Sequence, residues 1–183
     1  YTFSVNGTYT FSAIDGAGNE VKATAAVDWI DRTAPIANVS YSTTSPTNKN
    51  VQVTITANEE IQAVSGWTLS TDKKQLTKEY AQNKTETITI KDVAGNETPV
   101  EVKITNIDKT APTVKVSYST ISPTNKNVVV TIKANEEIQS VSGWTLSTDK
   151  KLLTREYAEN KTETIKIKDI AGNERPEEGK KTN

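Results

Sequence analysis

The sequence predicts an all-β protein made of tandem β-sandwich domains of about seven strands each. Two observations lead to this prediction. Apolar or β-branched residues alternate with polar residues in short runs such as 51–55 and 85–90, as in strands that bury one face. The runs also recur along the chain at a fixed interval, which indicates a repeated unit.

The two copies of the repeat align with each other without gaps. The tripeptide Thr-Ala-Pro at 33–35 recurs at 110–112, an offset of 110 − 33 = 77, and the same offset relates Trp67 to Trp144. Residues 33–106 and 110–183 are identical at 58 of 74 positions. Such close identity predicts that the two segments form the same structure.

The offset also divides the chain into domains. The motif at 15–20 lies 77 residues before its copy at 92–97, so residues 1–32 are predicted to be the C-terminal strands of a preceding repeat. Residues 33–109 form the middle repeat, and residues 110–183 form the last repeat. The last repeat has a degenerate final strand, because Glu177, Gly179 and Lys181 replace Val100, Val102 and Ile104.

Each element of the middle repeat is predicted as a short strand between turn sequences rich in Ser, Asn, Asp, Gly and Pro. The strands are expected near residues 36–41, 50–57, 61–64, 67–70, 75–80, 85–91 and 97–106. About seven strands around a central Trp are typical of an immunoglobulin-like sandwich. We therefore expect Trp67, Ile55, Ile88 and Ile90 in the core.

Composition argues against most enzymatic functions. The chain has no His and no Cys, so it lacks the commonest general base, thiol chemistry and a disulfide framework. Its 22 basic and 23 acidic residues are interspersed, which gives nucleic-acid binding no electrostatic support. No apolar run approaches the roughly 20 residues of a membrane-spanning helix. The sequence therefore predicts a non-catalytic protein without a membrane span in this segment.

Two motifs at fixed spacing resemble a known family. A D-x-T-A-P entry at 31–35 and 108–112 is combined with a D-x-A-G-N-E hairpin at 92–97 and 169–174. This combination is similar to the bacterial immunoglobulin-like domains that form long arrays in surface adhesins. The resemblance covers the whole chain and implies an extracellular stalk, on the bacterial surface or secreted, that is often rigidified by calcium between its domains. It does not identify a ligand.

An immunoglobulin-like topology brings several acidic and amide side chains to the pole that faces the preceding domain. We expect the chain entry, the loop after the second strand and the last hairpin to meet there. Oxygen donors of this kind suit Ca²⁺ better than zinc or copper. The candidate metal ligands are Asp31, Glu59, Glu60, Asp92 and Asn96 at one junction, and Asp108, Glu136, Glu137, Asp169 and Asn173 at the next.

Each candidate has an alternative interpretation. Asp92 and Asn96 are also the residues that a tight hairpin turn requires. Glu59 and Glu60 resemble a catalytic carboxylate pair, although adjacent residues of a strand point to opposite faces. Trp67 and its copy fit either a core or a sugar-stacking platform, and the core interpretation is favoured because Val64 and Leu69 lie beside Trp67 in the sequence.

The function predicted from these observations is a structural stalk that presents a distal domain, with neighbouring repeats as its partners and with host or cell-wall ligands bound by other domains. Two alternatives stay open: a module that binds a carbohydrate or another ligand, and an accessory segment of a secreted polysaccharide-degrading enzyme. Head-to-tail strand exchange between chains ranks below a simple stalk. Near-identity of the repeats argues against a dedicated pocket, because a unique site usually needs unique loops.

Overall fold

A computed structural model describes residues 1–178, and these residues form strands, turns and loops without a helix. The predicted all-β sandwich class is therefore confirmed. The described segment accordingly offers no helix long and apolar enough to cross a membrane. The strands are β1 (Gly7–Ile14), β2 (Glu20–Val27), β3 (Ala37–Tyr41), β4 (Val51–Ala57), β5 (Thr68–Leu69), β6 (Gln75–Tyr80), β7 (Lys84–Lys91), β8 (Glu97–Ile104), β9 (Val114–Tyr118), β10 (Val128–Ala134), β11 (Thr145–Leu146), β12 (Leu152–Tyr157), β13 (Thr164–Lys168) and β14 (Glu174–Glu178).

The described chain separates into two compact units. The first comprises Tyr1–Val39, Thr54–Lys78 and Thr87–Glu101, and the second comprises Ser40–Val53, Glu79–Glu86 and Val102 onwards. Several unit boundaries fall inside strands, so the units do not follow the predicted repeat boundaries. The division of the chain into repeats stays a prediction from the sequence.

The sheets follow the same order in both repeats. β3-β4-β6-β5 and β9-β10-β12-β11 are four-stranded sheets, whereas β7-β8 and β13-β14 are two-stranded. The pairs β1-β2, β5-β6, β9-β10, β10-β12, β11-β12 and β13-β14 are antiparallel. A two-stranded hairpin cannot bury an apolar face by itself, so each repeat needs its four-stranded sheet to form a core.

The core of the last repeat lies between its two sheets. Ile132, Leu153 and Ile167 are almost fully buried, and they come from β10, β12 and β13 respectively. Val114, Val116, Val141, Trp144, Leu146 and Ile165 pack against this cluster and stay partly exposed. Contact between residues of both sheets defines a β-sandwich.

The middle repeat has an alternating burial pattern that the sequence predicted well. Along β4, Val51, Val53 and Ile55 are buried and the residues between them are more exposed. Ile90 is also fully buried, as expected. Ile88, in contrast, is only half-buried.

A predicted strand and a further predicted core residue of the middle repeat also differ from the structure. Residues 61–64 form no strand, because Ile61 makes only an isolated bridge to Asp92 before the chain turns. Trp67 is half-buried, so its ring lies at the edge of the core. The Lys78 ammonium group lies 5.4 Å from the centroid of the Trp67 ring, a cation–π contact that an edge position allows.

The final strand of the last repeat is described in part. β14 pairs with β13 through Glu174–Glu178, and the predicted degenerate positions Gly179 and Lys181 lie outside the described residues. β13 starts at Thr164, three residues later than the start of β7 would place it, since 84 + 77 = 161. The described hairpin of the last repeat is therefore shorter than its counterpart β7-β8.

Candidate functional site

The D-x-A-G-N motif forms a hairpin turn that is held by its aspartate. One carboxylate oxygen of Asp92 accepts the backbone N–H groups of Gly95 and Asn96 at 2.6 and 2.8 Å. The other oxygen accepts the Asn96 side-chain amide at 2.8 Å. Gly95 has a φ of 96°, which favours glycine at this position. The residue types of the motif are thus explained by the turn itself.

The same turn occurs at all three copies of the motif. Asp169 accepts from the backbone N–H of Asn173 at 2.8 Å and from its side-chain amide at 2.7 Å. Asp15 accepts equivalent bonds from Asn19 at 2.9 and 2.8 Å. Asp92 and Asp169 are 1% and 0% exposed, whereas Asp15 is exposed. Only the two buried carboxylates therefore need these hydrogen bonds in place of water.

The asparagine of the turn also binds the linker that enters its repeat. The Asn173 side-chain amide donates to the Asp108 carbonyl at 2.9 Å, and that of Asn96 donates to the Asp31 carbonyl at 3.3 Å. Asp108 in turn accepts the backbone N–H of Thr110 at 2.9 Å. These bonds place the linker aspartates directly beside the buried aspartates of the turns.

A second contact brings in the loop after β4 and, in the last repeat, the loop after β10. Ile61 bridges Asp92, and Ile138 bridges Asp169. Gln62 strengthens the first bridge, because its backbone N–H donates to the Lys91 carbonyl at 2.8 Å and its side chain donates to the Asp92 carbonyl at 2.7 Å. Glu59 and Glu136 lie two residues before these bridging isoleucines.

The result is two acidic groups, one per repeat. The first group, called the first pole, consists of Asp31, Glu59 and Asp92, whose carboxylate oxygens all lie within 4.8 Å of one another. In the second pole, the same holds for Asp108, Glu136 and Asp169. Asp92 and Asp169 are the buried members, and the glutamates are half-buried.

Burial, neighbouring charges and hydrogen bonds shift the pKa values of Glu136 and Asp92. Burial, followed by the charges of Asp108 and Asp169, raises the pKa of Glu136. At Asp92, burial acts in the same direction, but hydrogen bonds from the side chain and backbone of Asn96 and from Gly95 outweigh it and lower the pKa. Asp92 therefore stays ionised in the first pole, whereas Glu136 carries the repulsion in the second pole.

The other predicted ligands lie outside these groups. Glu60 forms an ion pair with Lys73 at 3.5 Å, and Glu137 forms the same pair with Lys150 at 3.4 Å. The side-chain amide nitrogens of Asn96 and Asn173 donate to the turn aspartates and the linker carbonyls. The adjacent glutamates thus diverge, as expected for neighbours on an extended chain, and they do not form a carboxylate pair.

The donor set of each pole fits a calcium ion. All donors are carboxylate oxygens, and backbone carbonyl groups lie nearby, which matches the preference of Ca²⁺ for 6–8 oxygen ligands. The poles offer no nitrogen or sulfur ligand, since the chain has neither His nor Cys. Zinc and copper are poor candidates for the same reason.

The first pole borders an open cleft of about 340 Å³ that the sequence did not reveal. Trp29, which is 74% exposed, lines this cleft together with Asp31, Glu59, Glu60, Val93 and Ala94. The residue 77 positions after Trp29 is Asn106, so the tryptophan distinguishes this pole from the next. A search for departures from the repeat would have found Trp29.

The junction between the middle and last repeats contains a contact that the sequence analysis missed. The backbone N–H of Asn48 donates to the carbonyl of Ala171 at 3.0 Å, which joins the loop before β4 to the turn of the next repeat. This loop also holds the linker, because the backbone N–H of Asp108 donates to the Thr47 carbonyl at 2.9 Å. Lys109 donates to the Asn50 side chain at 2.7 Å. Backbone groups make most of these contacts, so residue types gave little signal.

Comparisons with known proteins add little to this geometry. No family description matches the chain, and no curated protein matches it in sequence. One solved structure, described as a crystal structure with xylogluco-oligosaccharide, is similar at 14% identity with a TM-score of 0.30. The match covers 86% of this chain and 42% of that one. A likeness this distant carries no argument about fold or ligand.

Proposed function

We propose that this chain is a non-catalytic spacer of tandem immunoglobulin-like repeats, of the kind found in bacterial surface adhesins, and that it works outside the cell. The observation that carries the proposal is the junction between the middle and last repeats. A spacer holds a distal domain at a distance only if the linkers between its repeats resist bending. This linker forms hydrogen bonds with the repeats on both of its sides.

The bonds of the linker come from two different repeats. On one side, the loop of the middle repeat binds Asp108 and Lys109 and reaches Ala171. On the other side, Asn173 of the last repeat binds the Asp108 carbonyl. Pro112 adds to this by fixing its own φ and restricting the residue before it. A linker held in this way favours one relative orientation of the repeats, which is what a spacer requires.

The test is a distance measurement across this junction. The chain has no Cys, so spin labels can be attached at Gln82→Cys and Glu159→Cys, two exposed and equivalent positions. We expect a narrow distribution of distances between the labels. Asn48→Pro removes the N–H that donates to Ala171 and should broaden the distribution.

Two matched variants control for side effects. Asn48→Ala keeps the backbone N–H and should leave the distribution narrow. Asn125→Pro places the same substitution in the identical loop of the last repeat, away from this junction, and should also leave it narrow. A broad distribution in the unmodified chain would contradict a spacer with a stiff joint.

We also propose that calcium binds the two poles and stiffens the junction further. Ion binding would offset the repulsion among Asp108, Glu136 and Asp169, and the same ion would tie the linker to the turn. Glu136→Gln removes one ligand without disturbing the turn, and we expect it to weaken calcium binding by about tenfold or more, as measured by titration calorimetry. Glu137→Gln, which alters only the ion pair with Lys150, is the control. Absence of calcium binding by the unmodified chain at millimolar concentration would refute this part of the proposal.

A further inference from the structure

The side chain of Asn6 fastens the linker that follows the first hairpin. Its amide nitrogen donates to the Ile30 carbonyl at 3.0 Å, and its amide oxygen accepts the Ile30 backbone N–H at 2.7 Å. Asn83 forms the same two bonds with Ile107. An ionised carboxylate at position 6 could not make both bonds, because it accepts but does not donate. The intact carboxamide therefore holds the residue just before Asp31 of the first pole.

The residue that follows Asn6 distinguishes it from its two copies. Position 7 is glycine, whereas the equivalent positions of the later repeats are Lys84 and Lys161, and Asn-Gly occurs once in the whole sequence. Gly7 begins β1, and no atom lies within 4 Å of the place where its Cβ would stand. Asn6 and Asn83 are both exposed. No side chain at position 7 therefore hinders a reaction between the Gly7 nitrogen and the Asn6 side chain.

We infer that Asn6 is a site of spontaneous deamidation by water and that its conversion releases the Ile30 contact. The Gly7 backbone nitrogen loses its proton to solvent and attacks Cγ of Asn6, which forms a C–N bond and a five-membered succinimide ring. The bond from Cγ to the side-chain nitrogen breaks, and that nitrogen takes up a proton and leaves as ammonia. Water then opens the ring at either carbonyl and gives aspartate or isoaspartate. The sum is an amide plus water, converted to a carboxylate plus ammonium.

The contact with Ile30 controls when this reaction occurs. While both hydrogen bonds are formed, the carboxamide is held against the linker, so ring closure requires the contact to open locally. Gly7 permits the backbone angles that bring its nitrogen to Cγ, whereas a lysine at this position restricts them. The product has no donor for the Ile30 carbonyl, and isoaspartate also lengthens the backbone by one carbon. Each conversion is irreversible, so the linker loosens as the molecule ages.

Peptide mass spectrometry of the purified chain, incubated at mildly alkaline pH, tests the site. Deamidation replaces an NH₂ group by OH and changes the peptide mass, whereas isomerisation at the Asp15-Gly16 pair leaves the mass unchanged. We expect Asn6 to convert at least about tenfold faster than Asn83, which makes the same contact. Equal rates at Asn6 and Asn83 would overturn the inference.

Two reciprocal variants separate the effect of the glycine from that of the hairpin. Gly7→Lys copies the later repeats and should slow conversion at Asn6 by about tenfold, and Lys84→Gly should accelerate conversion at Asn83 by a similar factor. Both variants keep the asparagine and its contact. An unchanged rate at Asn6 after Gly7→Lys would overturn the assignment.

Hydrogen exchange at the Ile30 amide tests the release. Asn6→Asp carries the charge of the product, and we expect this amide to exchange about tenfold faster in that variant. Gly7→Lys retains the carboxamide and should leave the protection of Ile30 unchanged. Equal protection in the Asn6→Asp chain and the unmodified chain would overturn the release. The inference requires neither a stiff joint between the later repeats nor a calcium ion, so it can fail without the proposed function failing, and the reverse also holds.

Discussion

Asn83 and Ile107 exchange two hydrogen bonds: the Asn83 side-chain amide donates to the Ile107 carbonyl at 2.9 Å, and its oxygen accepts the Ile107 backbone N–H at 2.8 Å. Asn6 and Ile30 form the same pair at 3.0 and 2.7 Å. The chain leaving a repeat is therefore fastened to the loop before that repeat's last hairpin. This pair adds to the contacts that order the linker.

Asn83→Asp should destabilise the middle repeat by about 1–2 kcal/mol, because it removes the donor and sets a carboxylate against the Ile107 carbonyl. Urea unfolding measures the change. Gln82→Glu, which makes the same amide-to-acid change at the exposed neighbouring position, is the matched control. Equal losses for both variants would show that the exchanged bonds are not the cause.

Replacing an apolar residue of the last repeat with Ala should cost more stability where its side chain is buried than where it is exposed. Leu153 is fully buried, and Leu153→Ala is expected to cost about 2–5 kcal/mol. Val129 lies on a neighbouring strand and is 37% exposed, so Val129→Ala should cost less than about 1 kcal/mol. Similar midpoints of chemical unfolding for the two variants would contradict the sandwich core described for β9–β14.

The two equivalent tryptophans should respond differently to Trp→Phe. In the part of the chain that the structure describes, the indole N–H of Trp144 is buried without a hydrogen-bond partner, so Trp144→Phe removes an unsatisfied group along with part of the ring. Trp67→Phe weakens the contact with Lys78. We expect the Trp144 variant to lose less stability than the Trp67 variant in thermal unfolding, and the reverse order would refute this explanation.

Glu136 makes the stability of the second pole depend on pH. Its pKa is raised in the folded protein, first by burial and then by Asp108 and Asp169, so the folded state takes up a proton more readily than the unfolded state. This destabilising contribution is fully present above the folded pKa, and it disappears as the pH falls through the folded pKa to below the unfolded value.

With a chelator present, Glu136→Gln should therefore raise the Tm by roughly 2–4 °C at neutral pH. The gain should shrink as the pH falls and Glu136 becomes protonated in the parent chain. Glu137→Gln, measured over the same pH range, controls for general loss of charge. A gain that grows towards acidic pH would have the wrong sign and would contradict the repulsion described at this pole.

The sequence by itself determined the class of the fold and most of its strands, because alternation of apolar and polar residues is a local property that a strand must show when one face is buried. β4 and β6 lie within one residue of their predicted bounds. Local patterns were insufficient for residues 61–64 and for Trp67. Ile61 makes only a bridge to Asp92, which is distant in sequence, and the chain then turns, with the Trp67 backbone N–H donating to the Val64 carbonyl.

Only the tertiary structure decided which acids meet and which do not. Glu59 and Glu60 are identical as residue types, and their separation depends on the bridge from Ile61 to Asp92, which directs one side chain to the pole and the other to Lys73. The Asn48 contact likewise could not be read from the residues, since a backbone N–H is present at almost every position. The contact arises from the placement of one loop against the next turn, and packing over long sequence separations sets that placement.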